Sequence, residues 1–171
     1  MTVERFRKIF KGLETAYGQY VNKVTTLPGE KAKGKAFIKK DLVTDNLWKD
    51  HLEGKDPALG IIPINAESQC RWGCIDIDQY NFDHVVFINK IRKKNLPLVV
   101  CRSKSGGAHV FLFTKEDIEA EDMQGKLKEL AAALGYSECE IFPKQTKILV
   151  DRGDTGNFLN LPYHHGDKTT R

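Results

Sequence analysis

The sequence predicts a mixed α/β (α+β) fold whose core has a split β-α-β-β-α-β order. Three observations carry that reading. From Arg71 onward, short apolar runs alternate with segments of helical periodicity. Two of those runs, Pro97–Cys101 and Ala108–Thr114, flank the glycine-bearing connection Arg102-Ser-Lys-Ser-Gly-Gly107, as a hairpin would. Gly135 follows the last residue of a helical stripe and stops it before another strand. Such a core is a four-stranded antiparallel sheet with helices on one face.

The elements follow in order. Phe6, Ile9, Phe10 and Leu13 recur at helical spacing, with Gly12 or Gly18 to end the helix and Tyr17, Tyr20 and Val21 as a continuation of its stripe. Residues 22–41 hold Pro28, Gly29, Gly34 and six lysines, and read as a mobile basic loop. Thr44 or Asp45 caps a short helix through Leu47, Trp48 and Leu52, closed by Gly54. Leu59–Ile64 is a short strand, and residues 1–64 form a helical, basic N-terminal module ahead of a core at 65–171. The first core strand is Arg71–Asp78. Asp83 then caps a helix with Val85, Ile88 and Ile91 on its apolar face. A second core helix, Ala120–Leu134, buries Met123, Leu127, Leu130, Ala131 and Leu134, and Cys139–Phe142 is the last core strand. The tail, with Gly153, Gly156 and Pro162, reads as loop.

A chain of 171 residues, 40% hydrophobic, fits one domain with a real core. It has no apolar run long enough to span a bilayer and no apolar signal-peptide centre near Met1, so a cytoplasmic protein is expected. Cys70, Cys74, Cys101 and Cys139 lack zinc-finger spacing and read as reduced, packed thiols. Net charge is +4, unevenly spread: residues 1–40 carry ten Lys or Arg against three Glu, or +7, which leaves −3 for the rest. A basic arm beside acids suits a polyanionic partner.

Those acids are the first chemical signal. In Cys74-Ile-Asp-Ile-Asp78, strand alternation puts Asp76 and Asp78 on one face and Ile75 and Ile77 on the other. Their α-carbons lie roughly 6.6 Å apart. Like charges so close repel unless a cation sits between them, and carboxylate oxygens suit magnesium or manganese. The second signal is Arg102-Ser-Lys-Ser-Gly-Gly-Ala-His109. Gly106 and Gly107 let backbone N–H groups approach a phosphate, while Arg102, Ser103, Lys104 and Ser105 add donors, and His109 opens the next strand toward a triphosphate. No Gly-Lys-Ser/Thr ends the turn and no helix follows, so it is not a Walker loop. The third signal is Glu140, which shares a strand face with Phe142 and can join the Asp pair as a third acid; Asp151 is its rival. Three acids around two cations about 4 Å apart are the two-metal arrangement for nucleotidyl transfer.

In this order the motifs Asp76-x-Asp78, Ser103-x-Ser105-Gly-Gly-x-His109 and a strand acid resemble those of the archaeo-eukaryotic primase superfamily. The segments Glu140-Ile-Phe-Pro-Lys-Gln145 and Gly156-Asn-Phe-Leu-Asn-Leu-Pro162 further resemble the primase-polymerase branch found in TOTE conflict systems and beside some CRISPR arrays. The resemblance implies a catalytic core like an RNA-recognition (RRM-like) fold joined to a small N-terminal α/β module. It implies a primase-polymerase that starts and extends chains on a single-stranded DNA template from NTPs or dNTPs, with two Mn²⁺ or Mg²⁺ ions. By it, Asp76, Asp78 and Glu140 are metal ligands. Arg102, Ser103, Ser105, Gly106, Gly107 and His109 contact the incoming triphosphate, with Lys144 and Gln145 as further nucleotide contacts. Asn157 and Asn160 touch nucleotide or template. Glu140 falls where many members carry Asp. The zinc feature of several members has no counterpart, since residues 65–74 offer only Cys70 and Cys74. The chain stops at Thr169-Thr170-Arg171 without a terminal cap, so further domains of the same polypeptide are expected. Two other functions remain open: a nuclease or relaxase-type strand transferase, which normally needs a His cluster and a Tyr nucleophile, and a non-catalytic nucleic-acid-binding module, which would carry aromatics rather than acids on its open face.

Overall fold

A computed structural model describes residues 2–22 and 34–166. Lys23, Lys31 and Lys33 of the basic segment lie outside the described residues, as does the end of the tail. The elements run α1 (Val3–Phe10), β1 (Tyr17–Asn22), β2 (Gly34–Lys39), α2 (Asp45–Glu53), β3 (Ala58–Ile61), β4 (Gln69–Ile77), α3 (His84–Lys93), β5 (Leu98–Arg102), β6 (Ala108–Glu119), α4 (Ala120–Leu134), β7 (Glu140–Phe142) and β8 (Leu159–Asn160). A 3₁₀ turn occupies Val150–Arg152.

The fold is mixed α+β, as expected. The core sheet has the order β5-β6-β4-β7, with each neighbouring pair antiparallel. That is the split β-α-β-β-α-β topology, and β4 is flanked on both sides. One face of the sheet packs on the helices: Ile75 and Ile77 of β4 join Phe87, Ile91, Met123, Leu127 and Leu134 in a buried cluster. The alternation read from the sequence therefore holds, with the isoleucines inward and Asp76 on the opposite side. Each helix ends as its residues dictate. Asp83 accepts a hydrogen bond from the Val86 N–H, and Gly135 takes a left-handed conformation that closes α4. The α3 face differs from expectation. Phe87 and Ile91 are buried, whereas Val85 is 70% exposed. An aromatic cluster of Phe82, Phe87 and Tyr136 sets the rotation of that helix, with ring centroids 5.0 to 6.1 Å apart.

The second face of the core sheet is not open, contrary to the sequence reading. Trp72, Cys74, Phe111 and Phe142 are buried against Phe6, Phe10, Trp48, Leu59, Ile61 and Leu161. The N-terminal elements thus form a third layer over that face. Their sheet has the order β2-β1-β3-β8. Two segments read differently from sequence become strands here. Tyr17–Asn22 is β1 rather than more helix, because Gly18 weakens a helix while Tyr17, Tyr20 and Val21 favour a pleated surface. Gly34–Lys39, read as loop, pairs with β1 along its whole length as an edge strand, where Lys35 and Lys39 are suited. The fourth strand, β8, comes from the tail and pairs with β3 through Gly60↔Asn160 and Ile61↔Leu159. A two-residue strand leaves no period to read.

His51 ties α2 to β3 and to the tail. It is 1% exposed, accepts a hydrogen bond from the Leu59 N–H at Nδ1, and so carries its proton on Nε2, which donates to the Pro162 carbonyl at 2.8 Å. Burial pushes its pKa down to about 4. The cysteines are all free, with Cys70 and Cys74 buried. Among the described residues no helix is long and apolar enough to cross a membrane.

Candidate active site

The N-terminal layer leaves one end of the core sheet uncovered, and the acids stand there. Asp76 occupies the last turn of pleat in the central strand. Across one neighbour it faces His109, and across the other Glu140. Directly opposite residues of antiparallel strands share a face, so His109 of β6 and Glu140 of β7 start from the same side of the sheet as Asp76. The Asp76 carboxylate lies 3.5 Å from His109 Nε2. Burial pushes Asp76 up to about 6, with Asp78 and Glu140 adding to it and Lys144 opposing. Burial likewise pulls His109 down to about 4, against the attraction of Asp78. Both shifts mark a site that disfavours charge until a counter-charge arrives.

The turn between β5 and β6 is seated on the end of β4. A Cβ on Gly107 would stand 2.0 Å from the Ile77 carbonyl oxygen, so only glycine fits. Gly106 adopts φ +93°, a conformation glycine takes freely. The Ser103 N–H donates to the Gly107 carbonyl at 2.9 Å, and His84 at the start of α3 bonds the same carbonyl at 2.9 Å. Ser103 and Ser105 share a hydroxyl contact of 3.1 Å, and Ser105 Oγ donates to Asp78 at 2.8 Å. The two motifs are therefore one hydrogen-bonded unit.

A cleft of about 650 Å³ opens between the two sheets at this end. Asp76, Asp78, Arg102, Ser103, Lys104, Ser105 and His109 line it from the core side. Asn160 lines it from β8, and its amide oxygen is buried with no partner among the described residues, an acceptor for a ligand donor. Lys104 reaches across to stack its ammonium 4.4 Å over the Tyr20 ring, tying the turn to β1.

Other expected residues are placed differently. Glu140 is an exposed side chain paired with Lys144 at 2.8 Å, and neither lines the cleft. Among the described residues no group of three His, Cys, Asp or Glu side chains is already set to hold a metal ion. Gln145 and Asn157 bond one another twice, at 2.5 and 2.9 Å, away from the cleft lining. Asp151 sits exposed in the 3₁₀ turn. Sequence reasoning missed Tyr20, Asp56, Tyr80 and His164 in the cleft wall. Tyr80 continues the period of the Asp pair and was findable; Asp56 and His164, 3.9 Å apart, meet only through folding.

The donor chemistry fits a hard divalent cation. Two neighbouring carboxylates at the end of β4, both lining the cleft, suit magnesium or manganese, which commonly take one or two carboxylates with the rest from water and substrate phosphate. The arrangement can gather cations, a triphosphate and its neutralising donors in one concave site.

The family model described as the TOTE conflict system, Archaeo-Eukaryotic Primase domain matches residues 1–171. No curated protein matches the chain. The match covers both sheets and the cleft between them. The chain belongs to the archaeo-eukaryotic primases, in their TOTE conflict-system branch, a family of primase-polymerase type.

Proposed function

We propose that the chain is a DNA-templated nucleotidyl transferase, a primase-polymerase that joins nucleoside triphosphates on a single-stranded template. One observation carries this: Asp76 and Asp78 share a cleft with the serine–glycine turn and His109, which are bonded to them or opposite them. Asp76 and Asp78 would hold two Mg²⁺ or Mn²⁺ ions. When bound, such ions stabilise the attacking and leaving oxygens of an in-line displacement.

The remaining roles belong to the chain itself. Ser103 and Ser105 hydroxyls donate to phosphate oxygens, Ser105 exchanging its bond to Asp78 for one to the ligand. Arg102 and Lys104 neutralise the triphosphate. His109 enters neutral and presents one ring N–H to phosphate; a bound polyanion draws a proton onto it, leaving an imidazolium beside the leaving group. Tyr20 and Asn160 close the opposite wall. Glu140 reaches the acids only by releasing Lys144, so two aspartates plus phosphate oxygens are the minimal ligand set.

The test is primer extension. The full chain, single-stranded template, labelled nucleotides and Mn²⁺ are incubated with and without primer. Product that disappears in Asp76→Asn and Asp78→Asn, with unchanged circular dichroism, supports the proposal. Folded wild-type protein that makes no product under either condition refutes it.

A further inference from the structure

A second groove, of about 680 Å³, lies on the outer part of the same sheet face, between α1 and the β5–β6 hairpin. Its floor is apolar: Val99 and Cys101 of β5, and Phe111 and Phe113 of β6. Its rim carries Arg5 and Lys8 from α1, Arg71 from β4 and Lys115 from β6, and no acidic residue lines it. The cleft beside it differs, since Asp56, Asp76 and Asp78 line it together with Arg102 and Lys104. Among the described residues Arg5, Lys8 and Lys115 make no ion pair, whereas Arg71 is held by Asp117 at 3.0 Å. The buried Arg71 Nε nevertheless has no partner.

The groove adjoins the cleft along β6 and at the tail. His109 lines the cleft and Phe111 and Phe113 line the groove, along one face of one strand. Pro162 and His164 line the cleft while Tyr163, between them, lines the groove. A strand of bases leaving the cleft along β6 would meet an aromatic floor and a cationic rim. Val99 is 50% exposed on the edge strand β5, so apolar surface there is uncovered.

We propose that this groove binds single-stranded polynucleotide, stacking bases on Phe113 and Tyr163 and holding phosphates with Arg5, Lys8 and Lys115. Aromatic platforms beside a basic track are what sequence-tolerant strand binding requires. An apolar protein segment would not call for cations around the whole rim, and a free nucleotide would not need a groove that extends beyond the triphosphate turn. The proposal rests on nucleotidyl transfer for what the bound strand is used for, but not for whether it binds.

The test is fluorescence polarisation of labelled oligothymidylate, and in parallel oligouridylate, with the full chain and no metal or nucleotide, over a range of salt. The expected result is binding by wild type that weakens as salt rises. The pair Arg5→Glu and Lys8→Glu, both at solvent-facing positions, should weaken it about tenfold or more and make the log–log salt slope shallower by roughly 1.4. Phe113→Leu, which keeps the packing against Phe10, should cost about tenfold with the slope unchanged. Wild type that binds neither oligomer, or variants whose affinity stays within about twofold of wild type, overturns the proposal. Asp76→Asn separates the two readings: it should bind the strand as wild type does even where extension is lost.

Discussion

Gly107→Ala tests how tightly the β5–β6 turn is seated. A Cβ there would stand 2.0 Å from the Ile77 carbonyl oxygen and 3.1 Å from the Gln79 N. Ordinary contact needs more than 3 Å, so the turn must move by about 1 Å, and the obstacle is backbone that cannot swing aside. The movement loosens the 2.9 Å Ser103–Gly107 bond and the 2.8 Å bond from Ser105 to Asp78. Overpacking costs about 1–3 kcal/mol, and weakening a hydrogen bond to a charged group adds about 1. A loss of about 2–4 kcal/mol in urea unfolding is expected. For catalysis, a 1 Å misplacement costs about 100-fold, to be read in kcat of primer extension at saturating Mn²⁺. Gly106→Ala is the internal contrast. Its backbone is at φ +93°, but the nearest atom to a new Cβ is Arg102 Nη2 at 4.0 Å. It should lose only about 1 kcal/mol, from backbone strain, with kcat within about threefold of wild type. Equal effects from the two substitutions would refute the seating of the turn on β4.

Three further outcomes follow from named contacts. If Asp76 helps hold cations, Mn²⁺ at about a hundred times its Kd should stabilise wild type by about 2.7 kcal/mol, and Asp76→Asn should abolish that gain; equal Mn²⁺ stabilisation of both proteins would remove Asp76 from the ligand set. His51 is held neutral with a pKa of about 4, so the unfolded chain binds a proton there that the native chain refuses. His51 alone should contribute a fall of about 3 kcal/mol in native stability as pH drops from 6.5 to 4, and nothing above 6.5. The fall should be smaller in His51→Gln, measured by urea unfolding at each pH; identical profiles would contradict it. Gln145 and Asn157 bond one another, so Gln145→Ala and Asn157→Ala should each cost about 1 kcal/mol, with a coupling of similar size in the double variant. Nucleotide KM should rise less than about threefold in either; a rise beyond tenfold would make them ligand contacts instead.

The sequence shows the core well because its signals are local. The stripe Met123, Leu127, Leu130, Leu134 and the stop at Gly135 needed no tertiary knowledge, and α4 runs over the expected residues. Asp76-x-Asp78 and the turn to His109 were legible for the same reason: alternation and glycine fix where those groups go. What could not be read is what lies across from them. Glu140 sits opposite Asp76 as strand pairing allows, yet its carboxylate turns to Lys144, four residues on, because an exposed acid follows the nearest cation. Nothing in Trp72 or Phe111 announces that α1 will cover them; burial on both faces of a strand looks the same whether the cover is helix or sheet. Tyr20 reads as an apolar-stripe residue until Lys104 meets it from a segment far along the chain.

The pairing of β8 with β3 joins residues 159–160 to residues 60–61, and that span has a consequence for how the protein comes into being. Closing a loop of about a hundred residues is slow, because its entropy is lost before any contact repays it. As the chain leaves the ribosome, the β4–β7 unit is complete well before the tail emerges. The inner wall of the cleft then exists without Asn160, Pro162 and His164 opposite it. Assembly of the cleft is thus deferred until residues 159–164 have emerged, and a chain terminated before them would carry the acids without an enclosed place to use them.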